Sequence, residues 1–452
     1  MVGDVSPEDS ASGAGKSSPE RVLSLFTDVR AGEGLTALLL ALNLFVLLGS
    51  YYLLKTVRES LILSEQGAEV KSYSAAGQAL LLLGVIPAYG WIASRVNRIR
   101  LITFVTAFFM LNLLLFYLAG RAGQHVGIAF YIWVGIFNVL AVAQFWGFAN
   151  DLYSEAQGKR LFPVVGLGAS LGAWAGARMA GGLFRAMGPY LVMMVAGGLL
   201  LVCILLSHLI HARESSGRDD QSAAAREPLG RQGGFRLVLT HRYLFLIALM
   251  TVLLNTNNSV GEYIFGRLVT EYARAATAGS EETMRPLIAG IYGDYFSWVN
   301  LLGLLFQLFL ASRLLKYLGV AGTLYVLPVV ALGTYGLMAA YPLLRVVRAG
   351  KILENSLDYS VQNTARHGLF LLTSREAKYK AQAAIETFFW RAGDLLQAAI
   401  VLAGTGLALA TRQYALIAIG LIAAWLVIVT AIYREHRRLS QQSGAELEKV
   451  AG

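Results

Sequence analysis

The chain has 452 residues, 56% of them hydrophobic and 15% charged, with a mean hydropathy of +0.56 and a formal net charge of +10. An ordinary soluble domain is about one-quarter charged, so a water-soluble enzyme is excluded, and so is disorder beyond the tails. The single cysteine, Cys203, lies in an apolar run and excludes a disulfide-stapled secreted scaffold. What remains is an all-α polytopic membrane protein, with length for about twelve spans of roughly 20–25 residues.

In chain order, residues 1–34 form a polar tail that matches neither a signal peptide nor a transit peptide. Six apolar runs follow near 36–60, 75–95, 99–120, 126–150, 162–184 and 188–210. A second six lie near 243–266, 288–311, 317–340, 342–366, 380–409 and 413–433. These predict an N-terminal six-helix bundle over 35–211, a linker over 212–242, a C-terminal six-helix bundle over 243–434 and a polar, disordered tail over 435–452. Cations cluster after the even-numbered spans: Arg95, Arg98 and Arg100 after span 2, the arginine-rich linker after span 6, Arg313 and Lys316 after span 8. By the positive-inside rule both termini are then cytoplasmic. The positive charge is thereby read as topology, and no nucleic-acid partner is expected. Span 10 carries Arg345, Arg348, Lys351, Glu354 and Asp358, and is read as a crossing shielded from lipid.

An ionisable group at the bilayer centre costs roughly 2.5–3.5 kcal/mol on insertion scales, so it faces a cavity or a partner. In span 1, Lys55, Arg58 and Glu59 share one helical face; they are a cationic cavity face or a snorkelling helix end. In span 10, Arg348, Lys351, Asn355, Asp358 and Gln362 form one stripe, read as cavity lining, with a packing seam as the alternative. Span 7 holds Asn255, Thr256, Asn257 and Asn258 in succession, which predicts a kinked or unwound segment. Glu262 follows them, as a coupling acid or as the partner of an interior arginine. Arg178 in span 5 has no acidic neighbour in its helix and is read as an anion-facing cation, whereas Arg391 and Asp394 in span 11 are read as a pair. Gly168, Gly172 and Gly176, spaced by four, predict a close helix crossing. The six histidines lack metal-ligand spacing, and no nucleophile with a base is apparent, so neither a metal, a cofactor nor an enzyme is expected.

The halves echo each other. Ile92-Ala93-Ser94-Arg95 matches Leu310-Ala311-Ser312-Arg313, and Glu155-Ala156 with Lys159 matches Glu376-Ala377 with Lys380, at offsets of 218 and 221 residues. A duplicated six-helix unit is the major facilitator arrangement, with a central site opening alternately to either side.

Two further runs stand out, Phe145-Trp146-Gly147-Phe148-Ala149-Asn150 with Gly166-Leu167-Gly168-Ala169, and Leu54-Lys55-Thr56-Val57-Arg58-Glu59. In these the sequence resembles the nucleotide translocases of plastids and intracellular bacteria, the ATP/ADP antiporters, whose first helix carries Leu-Arg-x-x-Lys-Asp. Lys380-Ala381-Gln382-Ala383-Ala384 resembles the block opening span 11, and Glu262 falls where the family has a glutamate in span 7. Two positions depart: Val134 and its neighbours stand where span 4 of the family has a glutamate, and Asp358-Tyr359-Ser360-Val361-Gln362-Asn363 replaces Lys-Tyr-Ser-Leu-Phe-Asp. The resemblance implies an antiporter of nucleotides in a bacterial inner membrane, and adds Asn150 and Lys380 to the candidate site.

The expectation is therefore a monomeric secondary transporter that binds a small anionic substrate, a nucleotide or related phosphorylated anion, within a lipid bilayer. Lys55, Arg58, Arg178, Arg348 and Lys351 are expected to make its cationic site. The alternatives are a proton-coupled facilitator using Glu59, Glu262 or Asp358, and a non-transporting scaffold of the same fold.

Overall fold

The structure, a computed structural model, describes residues 30, 33–215, 234–374 and 377–451; the expected N-terminal tail, most of the linker, and Glu376 of the repeat lie outside them. Among the described residues the secondary structure is helical, without strands.

Four helices open the chain: α1 Gly34–Glu65, α2 Gly67–Ala93, α3 Arg98–Arg121 and α4 Gly127–Leu152. Only Gln66 separates α1 from α2, so α2 starts eight residues before the apolar run that announces it. Asn97 caps α3, its side-chain oxygen accepting from the Ile99 amide at 3.1 Å. The next helical run, Glu155–Ser215, is two helices joined at Gly188, whose φ of 76° and ψ of 173° break the helix where Pro189 restarts it. We call them α5 (155–187) and α6 (189–215).

After the short helix Gly234–Thr240 come α7 Arg242–Ala276 and α8, which runs from Glu281 through a π-helical turn, Phe306–Leu310, to residue 318. Gly319, at φ 69°, makes the break to α9, which ends at Ala340. Helix α10 starts at Leu344 and passes through a π turn, Asp358–Gln362, to Leu372. Helix α11 contains two π turns, Ala377–Ala381 and Ile385–Phe389, before its regular stretch Trp390–Gly406. Helix α12 spans Thr411–Ala451. The polar residues after Tyr433, expected to be disordered, continue this helix; they are rich in Arg, Glu, Gln, Ala and Leu, all good helix formers.

Among the described residues, eight helical runs are long and apolar enough to cross a membrane. Two of them, Arg160–Glu214 with 55 residues and Glu281–Thr323 with 43, exceed one bilayer thickness and are the runs divided at Gly188 and Gly319. Helices α10 and α11 fall short because charges and π turns interrupt their apolar content.

Two hydrophobic cores coincide with the two halves. One is built from residues between Ala37 and Ile210, with Ala289 added; the other is dominated by residues from Leu237 to Ile432 and takes in Tyr52, Ile62, Leu63, Ala68, Tyr131, Ala173 and Ala177. The glycine stripe packs α5 onto α1 as expected. A Cβ on Gly168, Gly172 or Gly176 would lie 2.2, 2.1 or 2.3 Å from the backbone oxygens of Ala41, Phe45 or Gly49. A second small-residue crossing joins the halves: a Cβ on Gly181 of α5 would lie 3.1 Å from Gly290 Cα of α8, and one on Gly293 would lie 3.1 Å from Ala177 O.

The expected unwinding of span 7 does not occur. Helix α7 is continuous through Asn255–Asn258, with separate neighbours engaging Asn255, Thr256 and Asn258, while the Asn257 side-chain amide is buried without a hydrogen-bond partner among the described residues. Asn255 donates to Trp390 O at 2.7 Å and to Asp394 Oδ1 at 2.8 Å on α11. Thr256 bonds back to Val252 O, Tyr335 of α9 donates to the Asn257 carbonyl, and Asn258 Oδ1 accepts from Lys351 Nζ of α10 at 2.6 Å.

Candidate functional site

Between the halves lies a chamber of about 300 Å³, lined by α1, α2 and α4 on one side and by α7, α8, α10 and α11 on the other. Its floor is made by charges that the helical period of α1 puts on one face. Lys55, Arg58 and Glu59 all reach the chamber. Glu59, 1% exposed, is bonded by the Arg58 guanidinium and lies 2.6 Å from Lys71 Nζ of α2. Lys71 also stands 3.5 Å from the Tyr292 hydroxyl and 3.9 Å from Glu262. Glu262 on α7 accepts from Tyr295 at 2.7 Å and from Asn355 of α10 at 3.0 Å. A second pair faces the chamber from α11: Arg391 lies 3.2 Å from Asp394, which also holds Asn255.

Lys55 differs from the other cations. No carboxylate contacts it among the described residues; its ammonium stands over the rings of Phe296, Tyr52 and Tyr51 at 4.3, 5.1 and 5.9 Å. Arg58 similarly lies 4.4 Å from the Tyr131 ring centroid. Ring faces attract these cations without neutralising them.

The polar contacts that tie the halves together gather at the face where α1 ends and α2 begins. Ser60 donates to Arg285 O at 2.7 Å, and Arg285 reaches Glu65 at 3.2 Å. Tyr263 donates to Glu69 at 2.9 Å, and Gln397 to Ser72 at 2.9 Å. At the opposite face, which carries the termini, the ion pairs among the described residues include Arg98 with Asp151 at 2.7 Å and Arg160 with Glu33 at 3.0 Å, each within one half.

Of the ten residues singled out from sequence, Lys55, Arg58, Glu59 and Glu262 line the chamber and the other six do not. Arg178 is exposed on the outer side of α5. Helical residues advance by about 100° each, so with Gly172 and Gly176 held against α1, position 178 falls on the far side. Arg348 pairs with Asp294 outside the chamber. Lys351 is buried in the C-terminal half, held by Asn258 at 2.6 Å and Glu354 at 3.0 Å. Asp358 is buried beside Glu354, Asn258 and Trp425. The α10 stripe thus turns mainly into its own half, and Asn355 and Tyr359 are the α10 residues that reach the chamber. Asn150 is exposed at the termini-facing end of α4, and Lys380 is partly buried near the start of α11. The span 11 charges, read as a structural pair, are paired and also line the chamber.

Sequence reasoning missed Lys71, Gln78 and Asn138. Lys71 precedes the apolar run of span 2 and reads as a loop residue. The other two are single amides in apolar helices, and such a residue within a span is itself a signal that the helix faces a polar interior.

The sequence is similar to ADP,ATP carrier protein 1 of Chlamydia pneumoniae, with 22% identity over 369 residues covering 72% of this chain and 69% of that protein. No protein-family model matches the chain. Among solved structures, a bacterial homolog of the human lysosomal transporter Spinster, inward-facing and unoccupied, aligns with a TM-score of 0.63 at 12% identity over 91% of this chain and 99% of that one. A mutant of the nucleoside transporter NupG aligns with a TM-score of 0.63 at 12% identity over 88% and 99%. A bacterial homologue of the iron transporter ferroportin, also inward-facing, gives 0.62 at 13% over 88% and 98%. The fold is therefore the one these transporters share, the major facilitator type, and the chain is an integral membrane protein.

Proposed function

We propose that this chain is a secondary transporter that exchanges nucleotides or related phosphorylated anions by alternating access. Its twelve helices would form two six-helix bundles, over 35–211 and 243–434, with both termini in the cytoplasm and a single chain sufficing. The cation bias after even-numbered spans supports that orientation, and a plasma membrane of bacterial type fits the likeness to a bacterial carrier. With the termini inside, the clasp of Arg285, Glu65, Tyr263, Glu69, Gln397 and Ser72 closes the outer face, which supports an inward-facing state.

The observation that carries the reading is Lys55, a cation in a central chamber between the halves with aromatic neighbours and no carboxylate in contact with it among the described residues. In the empty transporter, moving this charge through the low-dielectric barrier between the two orientations is costly. A bound phosphate neutralises it, so the loaded form reorients and the empty form does not. That asymmetry makes exchange, rather than uniport, the natural mode. Arg58, Lys71 and Arg391 are already matched by Glu59, Glu262 and Asp394, and hold the chamber's shape.

The test is counterflow in proteoliposomes preloaded with unlabelled nucleotide, reading uptake of labelled nucleotide. Exchange by the wild type and its loss in Lys55→Gln are expected. Wild-type rates in Lys55→Gln would remove Lys55 from the mechanism. Uptake driven by a pH gradient with no internal nucleotide would replace exchange by proton coupling through Glu59 or Glu262.

A further inference from the structure

The chamber lining is less positive than a site for nucleoside triphosphates requires. It holds four cations, Lys55, Arg58, Lys71 and Arg391, against three carboxylates, Glu59, Glu262 and Asp394. The net charge of the described lining is one positive, and it resides on Lys55. The remaining charges are set against one another: Glu59 and Glu262 against Arg58 and Lys71, Asp394 against Arg391, with Glu262 also accepting from Tyr295 and Asn355. The other basic residues expected to face the substrate, Arg178, Arg348 and Lys351, lie outside the chamber.

A phosphate monoester carries about 1.5–2 negative charges near neutral pH, and each further phosphoryl group adds about one more. A monophosphate nearly balances this chamber. A triphosphate would leave two or more uncompensated negative charges against Glu59, Glu262 and Asp394. The rest of the lining suits the uncharged part of such a ligand. Tyr359, 46% exposed, offers a ring to the chamber, and Tyr131 and Trp390 line it while their rings also carry Arg58 and Arg366. Gln78 and Asn138 face the chamber with no side-chain hydrogen bond among the described residues, each presenting one donor and one acceptor side. The volume of about 300 Å³ is at the small end of the range of about 300–1,000 Å³ for small-molecule sites.

We infer that the chamber selects a singly phosphorylated aromatic metabolite, of the nucleoside monophosphate class, over di- and triphosphates. This rests on the proposed transport of nucleotides and narrows it. Lys55 would receive the phosphate, and Gln78 and Asn138 the polar edge of the base.

The experiment uses the purified full-length chain with nucleoside mono-, di- and triphosphates of a purine and of a pyrimidine, plus the free nucleosides, at matched ionic strength without divalent metal. Thermal shift and counterflow competition in proteoliposomes are both read. The monophosphate should half-saturate at a concentration at least about ten-fold below the triphosphate, since one uncompensated charge in a confined site is worth at least that. Lys55→Gln should erase the difference between monophosphate and nucleoside. Asp394→Asn, which adds one positive charge to the chamber, should shift preference toward the diphosphate. A wild type that favours di- or triphosphate overturns the inference and leaves nucleotide exchange standing. If no nucleotide shifts the melting temperature or exchanges, both the inference and the proposed function fall.

Discussion

Removing the Lys71 ammonium is the sharpest test of how the chamber holds its charges. In Lys71→Met the Glu59 carboxylate, 1% exposed, loses a partner 2.6 Å away and keeps the Arg58 guanidinium. Breaking a buried pair costs about 3–5 kcal/mol, because the surviving charge stays desolvated. The retained Arg58 contact puts this case at the low end, near 3 kcal/mol. The other Lys71 contacts, 3.5 Å to Tyr292 and 3.9 Å to Glu262, are too long to add much. At a few degrees per kcal/mol or less for a chain of this size, the melting temperature in detergent should fall by roughly 5 °C. Glu59→Gln alone leaves both Arg58 and Lys71 without their shared carboxylate and should cost more than Lys71→Met, which keeps the Arg58–Glu59 pair. The double variant Glu59→Gln with Lys71→Met strands Arg58 alone and should lie closer to the wild type than Glu59→Gln; a double-mutant cycle in thermal or denaturant unfolding reads this coupling. Additive losses, with the double variant worse than Glu59→Gln, would refute the coupled network.

The glycine crossing makes two substitutions of the same chemistry act with opposite sign. Gly172→Ala would put a Cβ 2.1 Å from Phe45 O and should cost at least about 1–3 kcal/mol as α1 and α5 are forced apart. Gly166→Ala, with nothing within 4 Å of its Cβ, should be neutral or stabilising by up to about 1 kcal/mol, through helix propensity. Equal melting temperatures for the two would discount the crossing. At the termini face, burial opposes the charge of Glu33, but hydrogen bonds from Arg160 and Gln157 outweigh it and lower its pKa. Its contribution is thus complete above its ordinary value of 4.5 and disappears as the pH falls through the lowered folded value. Glu33→Gln should cost about 1 kcal/mol at neutral pH and nothing at the acid end, where an unchanged difference would exclude the ion pair as the cause.

Much of this was legible in the sequence because it depends on period and composition. Hydropathy reports what the bilayer demands of every residue, so the all-α membrane class follows from it, and four-residue glycine spacing leaves few alternatives to a close crossing. Lys55, Arg58 and Glu59 were found because three charges on one face of an apolar helix need a common polar environment. Direction was harder to read. The α10 stripe has the same sequence signature whether it meets a chamber or Asn258 and Trp425 of neighbouring helices, and only the packing of α10 decides. Arg178 was recoverable, since Gly172 and Gly176 fix the rotation of α5 and so the side on which 178 emerges. Lys71 was obscured by the hydropathy pattern itself, because a helix can begin before its apolar run.

The crossing of α5 and α8 at Gly181, Gly290 and Gly293 brings backbone against backbone, with scarcely a side chain between. Such a joint has no teeth to disengage at that point, so a rolling motion there requires no change of rotamer. In the proposed rocking cycle the resistance would come from the contacts around it, the Arg285–Glu65 pair at the rim and the ring contact of Tyr52 with Phe296. Exchange by that mechanism should accordingly answer to ionic strength and to truncation of Phe296, and little to a methyl group more or less elsewhere on the joint.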